Sequence, residues 1–159
     1  MRAVVKSHFL FSDFYSWYNR LMKNIYTDKV YYADTDSYGV VWHGTYLRWM
    51  EKGRVLFCDD LGLDLIELQK ANIAIPVANI NIKYKSSAKL NDKFGVCTTV
   101  SKITPLSVTF RQVTYNPDTN KTFTEAEVVV VAVTNEGKLY RRLPEAITSV
   151  INEGIICND

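Results

Sequence analysis

Apolar and polar residues alternate along much of the second half of the chain, which predicts a series of β-strands. Ile80, Ile82 and Tyr84 alternate with polar residues, the period of two that is typical of a half-buried strand. The run from Val128 to Val131 indicates a strand covered on both faces. The residues at 116–120 predict a hairpin turn, because Asn, Pro and Asp favour turn geometry. The strand-like segments are 29–33, 79–85, 94–103, 106–115 and 123–134.

A helical period replaces this alternation in four places. The clearest helix runs from about Thr45 to Asp60, and it is apolar around most of its circumference, which predicts burial on all sides. Gly53 in its interior costs about 1 kcal/mol relative to alanine, so we expect a close approach of a neighbouring backbone there. Shorter helices are predicted at 8–26, at 65–71 and in a closing helix that Pro144 opens and Gly154 ends.

The order of strand, buried helix and meander predicts an α+β domain. A curved antiparallel sheet of about five strands would wrap around the long central helix and bury it. Residues 1–27 are assigned to an N-terminal helical extension that packs on the domain or on another subunit, and residues 28–159 to the domain itself. The cations of the 8–26 helix are too few to favour a membrane-surface helix.

Composition narrows the classes of function. The chain has 159 residues, 47% of them hydrophobic, and a net charge of +2, so nothing in the total charge requires nucleic acid. Three cysteines without a C-x-x-C pair favour a reducing compartment. With two histidines and no Cys/His cluster, a zinc site of the usual spacing is excluded. No apolar run reaches the length needed to span a membrane.

The segment that carries the chemistry lies between the first strand and the long helix. It reads Tyr-Tyr-Ala-Asp-Thr-Asp-Ser-Tyr-Gly-Val-Val-Trp-His-Gly over residues 31–44. A helix N-terminus offers free N–H donors and a partial positive charge, which suit an oxyanion. A carboxylate such as Asp36, a few residues upstream, could activate water or attack a carbonyl directly. The alternative for Asp36 is a turn or capping residue.

This segment resembles the 4-hydroxybenzoyl-CoA thioesterase family, in particular the small bacterial acyl-CoA thioesterases associated with the Tol–Pal system. The shared pattern is a tyrosine or phenylalanine, D-x-D, two intervening residues, a glycine, two apolar residues, a short gap and a tyrosine on the helix. The resemblance implies a hot-dog fold, Asp36 as the essential carboxylate, Gly39 as the family glycine and the N–H of His43 as the donor to the thioester carbonyl. Asp34 is expected to be structural.

The resemblance also implies the function and the partners. The expected reaction is hydrolysis of acyl-CoA without a metal or other cofactor, in the cytoplasm, by a homodimer or homotetramer. An aromatic acyl-CoA or an acyl carrier protein thioester is the close alternative, and a non-catalytic acyl-CoA-binding module is the alternative of another class. No G-x-S-x-G sequence is present, so an α/β-hydrolase is excluded.

The candidate substrate-binding residues each have a second interpretation. Trp42 and Tyr46, with Trp49, would line either the core or an acyl channel. Glu51 would either pair with Arg54 or line the acyl pocket, pairing being favoured because a lone buried charge is costly. Lys85 and Ser87, which cluster with Lys83, Ser86 and Lys89, would either bind the phosphates of CoA or form a solvated strand face. The side chain of His43 is either a base or a polar wall.

Overall fold

The structure is a computed structural model that describes residues 23–156, with the surroundings of side chains up to Ile151. Within these residues, no helix is long and apolar enough to cross a membrane. In chain order the elements are β1 (Lys23–Lys29), a 3-10 turn (Tyr32–Asp34), α1 (His43–Asp60), α2 (Leu65–Lys70), β2 (Val77–Tyr84), β3 (Lys93–Ile103), β4 (Ser107–Tyr115), β5 (Thr122–Val131) and α3 (Glu145–Ile156).

The five strands form one antiparallel sheet in the order β1-β3-β4-β5-β2, which confirms the predicted number and direction of the strands. Alternate residues of β3, β4 and β5 are buried, as the period-two pattern predicts. Helix α1 packs on the buried face of the sheet against β1, β3 and β4. The sheet therefore gives α1 a fixed position, with the middle of the helix beside β1, where the hydroxyl of Tyr26 donates to the carbonyl of Trp49.

The first strand begins earlier than the sequence pattern predicts. Residues 23–26, assigned above to the end of a helix, belong to β1, and the segment 29–33 contributes only Lys29 to a strand. β1 pairs with β3 along its whole length, so hydrogen bonds from a distant strand override the local helical spacing. The boundary proposed between residues 27 and 28 falls inside β1. The remainder of the 8–26 helix lies outside the described residues.

Two further expectations about helices are wrong in the described chain. α1 is not buried on all sides, since Leu47 and Val55 are exposed while Tyr46, Met50 and Phe57 are buried against the sheet. The sheet covers one face of α1, and the apolar residues on the opposite face remain open. Gly154 does not end the closing helix, because α3 continues to Ile156.

Gly53 marks a close approach of α1 to the sheet, although the neighbouring atoms belong to side chains and not to backbone. A Cβ at Gly53 would lie 2.8 Å from Oγ1 of Thr98 and 3.2 Å from Nε2 of Gln112. The fully buried amide of Gln112 donates from Nε2 to the carbonyl of Met50 and to Thr98, both at 2.8 Å. Its Oε1 accepts a hydrogen bond from Arg54 at 2.8 Å. A buried polar residue of the sheet thus binds the helix backbone directly.

We predict that Gly53→Ala lowers the free energy of unfolding, measured by urea denaturation. Alanine gains about 1 kcal/mol of helix propensity, but overpacking a tight contact costs about 1–3 kcal/mol. The substitution should cost less in a Thr98→Ala background, because that change removes the hydroxyl 2.8 Å away. A Gly53→Ala protein as stable as the unsubstituted chain would contradict the close approach.

Candidate active site

A short hairpin carries Asp36 to a position just before α1. The N–H of Gly39 donates to the carbonyl of Asp36 at 3.0 Å, and the N–H of Asp36 donates to the carbonyl of Val40 at 2.9 Å. Gly39 has a φ of 75°, the left-handed region that closes a three-residue hairpin loop and that glycine adopts without strain. The glycine of the motif is therefore required by the turn that presents Asp36.

The Asp36 side chain is partly exposed near the tip of this hairpin. Its Oδ1 accepts a hydrogen bond from the N–H of Tyr38 at 2.8 Å, which fixes the direction of the carboxylate. Within residues 23–156, no donor bonds to Oδ2. One carboxylate oxygen is thus held by the turn, and the other is available to a water molecule or a substrate.

Asp34 fastens the hairpin to the start of α1. Its buried carboxylate accepts the N–H of Tyr31 at 2.9 Å and lies 3.4 Å from Nη2 of Arg48. Its backbone carbonyl accepts the N–H of Trp42 at 2.9 Å and the hydroxyl of Thr45 at 3.3 Å. These contacts agree with the structural role predicted for Asp34.

The first turn of α1 leaves two backbone donors without an acceptor. Trp42 is the N-cap residue, with an extended φ of −60° and ψ of 135°, and it makes no side-chain capping bond. Among the described residues, neither the N–H of His43 nor that of Gly44 has a protein acceptor. Free donors at a helix start carry a partial positive charge, so an anion or a developing oxyanion is favoured here.

Aromatic rings surround these donors. A Cβ at Gly44 would overlap the indole of Trp42, so that ring lies directly over the first turn of α1. The Trp42 and His43 ring centroids are 5.0 Å apart, and the hydroxyl of Tyr84 donates to the carbonyl of His43 at 3.0 Å. Trp42 is half exposed, so it forms an outer wall and not part of the core.

Tyr46 and Trp49 belong to the core, which was one of the two positions expected for them. They are 2% and 7% exposed, and Trp49 stacks on Phe94 with the centroids 3.7 Å apart. The hydroxyl of Tyr46 accepts the N–H of Ala88 at 3.0 Å, and the carbonyl of Ala88 accepts the N–H of Val41 at 2.9 Å. The segment after β2 is thereby held against the hairpin that carries Asp36.

Lys85 and Ser87 lie in that segment and are exposed. Lys89 forms a β-bridge with Val40, so its backbone adjoins the hairpin. Lys85 is 3.9 Å from Glu125, an exposed pair that stabilises little. The structure therefore brings the basic segment to the same end of α1 as Asp36, while no contact assigns a ligand to either side chain.

Glu51 lies away from the start of α1, and its predicted ion pair with Arg54 is not formed. Glu51 is exposed and eight residues beyond His43, about 12 Å along the helix axis. Arg54 instead donates to Gln112, and burial lowers the pKa of its guanidinium while the nearby Glu51 charge opposes that shift. Both residues line an apolar cavity at the far end of α1.

The structure supports neither the Cys58 thiol as a nucleophile nor a metal site in the described residues. Burial raises the pKa of the Cys58 thiol to about 11, so it is protonated at neutral pH and is a poor nucleophile. Within the described residues, no three His, Cys, Asp or Glu side chains are grouped to hold a metal ion. Sequence reasoning missed Tyr84 and Gln112 because the strand pattern shows which face they occupy but not which atoms they contact.

Comparisons with known proteins agree on one family. The family model described as Thioesterase-like superfamily matches residues 30–151. The acyl-CoA thioester hydrolase YbgC of Escherichia coli O6:H1 is 31% identical over 121 residues, which cover 76% of this chain and 90% of that protein. The putative acyl-CoA thioesterase YneP of Bacillus subtilis is 35% identical over 89 residues, which cover 56% of this chain and 64% of that protein.

Solved structures share the fold. The DHNA-CoA thioesterase of Staphylococcus aureus superposes with a TM-score of 0.72 at 27% identity, covering 83% of this chain and 95% of that one. Slr0204, a 1,4-dihydroxy-2-naphthoyl-CoA thioesterase from Synechocystis, gives a TM-score of 0.74 at 20% identity, covering 82% of this chain and 96% of that one. At the lower identity the likeness shows the fold alone, which confirms the predicted hot-dog architecture.

We predict stability effects of different size for the two aspartates of the motif. Asp34→Ala leaves the N–H of Tyr31 and Arg48 without an acceptor, which should lower the free energy of unfolding by about 1–3 kcal/mol. Asp36→Ala, the matched control, removes a bond at an exposed turn and should change that free energy by about 0.5 kcal/mol or less. Equal losses in urea denaturation would refute the structural role of Asp34.

Proposed function

Because the chain belongs to the Thioesterase-like superfamily, we propose that Asp36 and the first turn of α1 form the active site with which it hydrolyses acyl-CoA thioesters. The activity rests on the relatives named as acyl-CoA thioesterases. The placement of the site rests on one observation, the partly free carboxylate of Asp36 on the hairpin that leads into the two free donors at the start of α1. The remaining roles are derived from these groups.

The N–H of His43 polarises the thioester carbonyl. Attack on the carbonyl carbon moves an electron pair onto the oxygen, and the resulting oxyanion is stabilised by a donor and by the helix dipole. The half-exposed indole of Trp42 lies over this turn and limits the access of bulk water. In a less polar site the same hydrogen bond stabilises charge more strongly.

Asp36 acts on the other side of the carbonyl carbon. As a general base, its Oδ2 takes a proton from water while the water oxygen bonds to the carbon. The intermediate then collapses, the carbon–sulfur bond breaks, and the CoA thiolate leaves and is protonated. As a nucleophile, Asp36 would form a mixed anhydride that water opens. Both routes need the carboxylate charged, and Gly39 serves by closing the turn that presents it.

The coenzyme is assigned to the basic segment after β2. Lys85 and Ser87 lie at the end of α1 that carries Asp36, and phosphate groups favour such cations. The segment is held in place by the bonds of Ala88 to Tyr46 and Val41. The exposed side chain of His43 belongs to the wall of the site. The backbone of this residue is held in place, because its carbonyl accepts a hydrogen bond from the hydroxyl of Tyr84.

The finer assignments belong to the same proposal. The alignment with YbgC supports placing the chain among the small bacterial acyl-CoA thioesterases associated with the Tol–Pal system. Within the described residues the outer edge of β2 has no partner strand, and it exposes Val77, Ile80 and Tyr84, which supports a homodimer or homotetramer. The cysteine pattern supports a cytoplasmic location.

We predict that Asp36→Ala and Asp36→Asn each reduce the turnover of acyl-CoA by at least about 100-fold, because the proton acceptor or nucleophile is lost. Release of the CoA thiol measures the rate, and urea denaturation verifies the fold. Asn keeps the shape of the side chain and can accept the Tyr38 bond, so it isolates the charge. Turnover close to that of the unsubstituted protein in either variant would reject Asp36 as the catalytic carboxylate.

We also predict that His43→Pro lowers turnover by about 100- to 1000-fold while the helix is kept. Proline removes the N–H but suits the first helical position, and Trp42 already has the extended ψ of 135° that a following proline requires. The matched control His43→Ala keeps the N–H and should remain within about tenfold of the unsubstituted protein. If the alanine variant loses as much as the proline variant, the side chain and not the amide carries the role.

A further inference from the structure

Each of the two free N–H groups that open α1 belongs to a peptide group whose carbonyl oxygen accepts a hydrogen bond. The N–H of His43 shares its peptide group with the carbonyl of Trp42, which accepts the N–H of Thr45 at 2.9 Å. The N–H of Gly44 shares its peptide group with the carbonyl of His43, which accepts the hydroxyl of Tyr84 at 3.0 Å. The first bond comes from the backbone of the opening turn, whereas the second comes from a side chain of β2 and is not a product of helix formation.

A hydrogen bond accepted by a carbonyl oxygen makes the N–H of the same peptide group a stronger donor. The bond draws electron density toward the oxygen and leaves the amide proton more positive, and this cooperative strengthening is about 10–30% per bond. Within α1 the carbonyl of residue 43 also accepts the N–H of residue 47, so the Tyr84 hydroxyl is a second donor to the same oxygen. The bond from Tyr84 thus increases the donor strength of the Gly44 N–H.

The surroundings of Tyr84 hold its ring and leave the hydroxyl bond close to solvent. The ring packs edge-on against Tyr46 and His43, with centroid distances of 5.8 Å and 6.5 Å. Because Tyr84 is 47% exposed, water can take the place of its hydroxyl at the His43 carbonyl with little loss of stability. Burial raises the pKa of Tyr84 above its ordinary value, so the hydroxyl stays protonated and able to donate at neutral pH. Folding therefore depends little on this bond.

We propose that the Gly44 N–H is a second donor to the thioester oxygen and that Tyr84 is a positioning residue that strengthens and orients this donor. The proposal rests on the proposed function, since it assumes that the thioester carbonyl lies at the start of α1. The N–H groups of the first helical residues point out of the same end, so one oxyanion can accept from both. Gly44 suits this position because a Cβ there would overlap the indole of Trp42, which lies over the turn.

The first experiment compares Tyr84→Phe with the unsubstituted full chain, with octanoyl-CoA or benzoyl-CoA as substrate, whichever is hydrolysed faster. Phenylalanine keeps the ring and removes only the hydroxyl. A donor worth about 100- to 1000-fold that loses about 10–30% of its strength should lower kcat by about two- to eightfold, with KM unchanged. The matched control Tyr140→Phe removes a hydroxyl that donates to the carbonyl of Asn72, also at 3.0 Å, and should leave kcat unchanged. An unchanged kcat in Tyr84→Phe, a change in KM alone, or an equal loss in the control would overturn the role of Tyr84.

An infrared measurement separates this proposal from the proposed function. The same acyl-CoA, isotope-labelled at the thioester carbonyl carbon, is bound to the slow Asp36→Asn variant, and the stretching frequency of the carbonyl reports its polarisation. The frequency should lie below that of free acyl-CoA, and adding Tyr84→Phe should reverse part of the shift, whereas adding Tyr140→Phe should not. A full shift that persists with Tyr84→Phe would overturn the role of Tyr84 and leave the hydrolase standing. Absence of any shift would exclude the helix start as the oxyanion site and the role of Tyr84 with it, while absence of hydrolysis by the unsubstituted protein would reject the proposed function itself.

Discussion

The hydrogen bonds of Asp34 fix the relation between the carboxylate and the helix start, and the proposed chemistry depends on that relation. Its carbonyl accepts the N–H of Trp42 and the hydroxyl of Thr45, while its side chain accepts the N–H of Tyr31. The hairpin that ends in Asp36 is thereby tied to α1 at the residue before the free donors. Displacement of reacting groups by about 1 Å can cost about 100-fold in rate, so a rigid connection here has a direct effect on catalysis.

The position of α1 depends in turn on a polar contact inside a mostly apolar core. Gln112 is fully buried and binds the carbonyl of Met50, the hydroxyl of Thr98 and Arg54. Both polar atoms of its side-chain amide, which burial removes from water, therefore have hydrogen-bond partners in the protein. Gly53 leaves the space in which this network forms. The network adjoins both apolar clusters, since Met50 belongs to one of them and Val96, beside Gly53, to the other.

The two ends of α1 present different chemical surroundings. Its start supplies free N–H groups and a partial positive charge, which suit a thioester oxygen. Its second half supplies apolar side chains, with Glu51 and Val55 at the cavity mouth. Along the face that the sheet does not cover, Leu47 and Val55 are exposed.

The sequence by itself determined the strands, the long helix and the residues of the motif. Alternation and helical spacing depend on the local chain, and so does the need for glycine at a φ of 75° in the Asp36 turn. Only the tertiary structure decided that residues 23–26 form a strand, because their partners in β3 are about 70 residues away. It also decided that Arg54 binds Gln112 and not Glu51, and that Glu51 borders a cavity. Pairings between distant residues arise from packing, which no local pattern records.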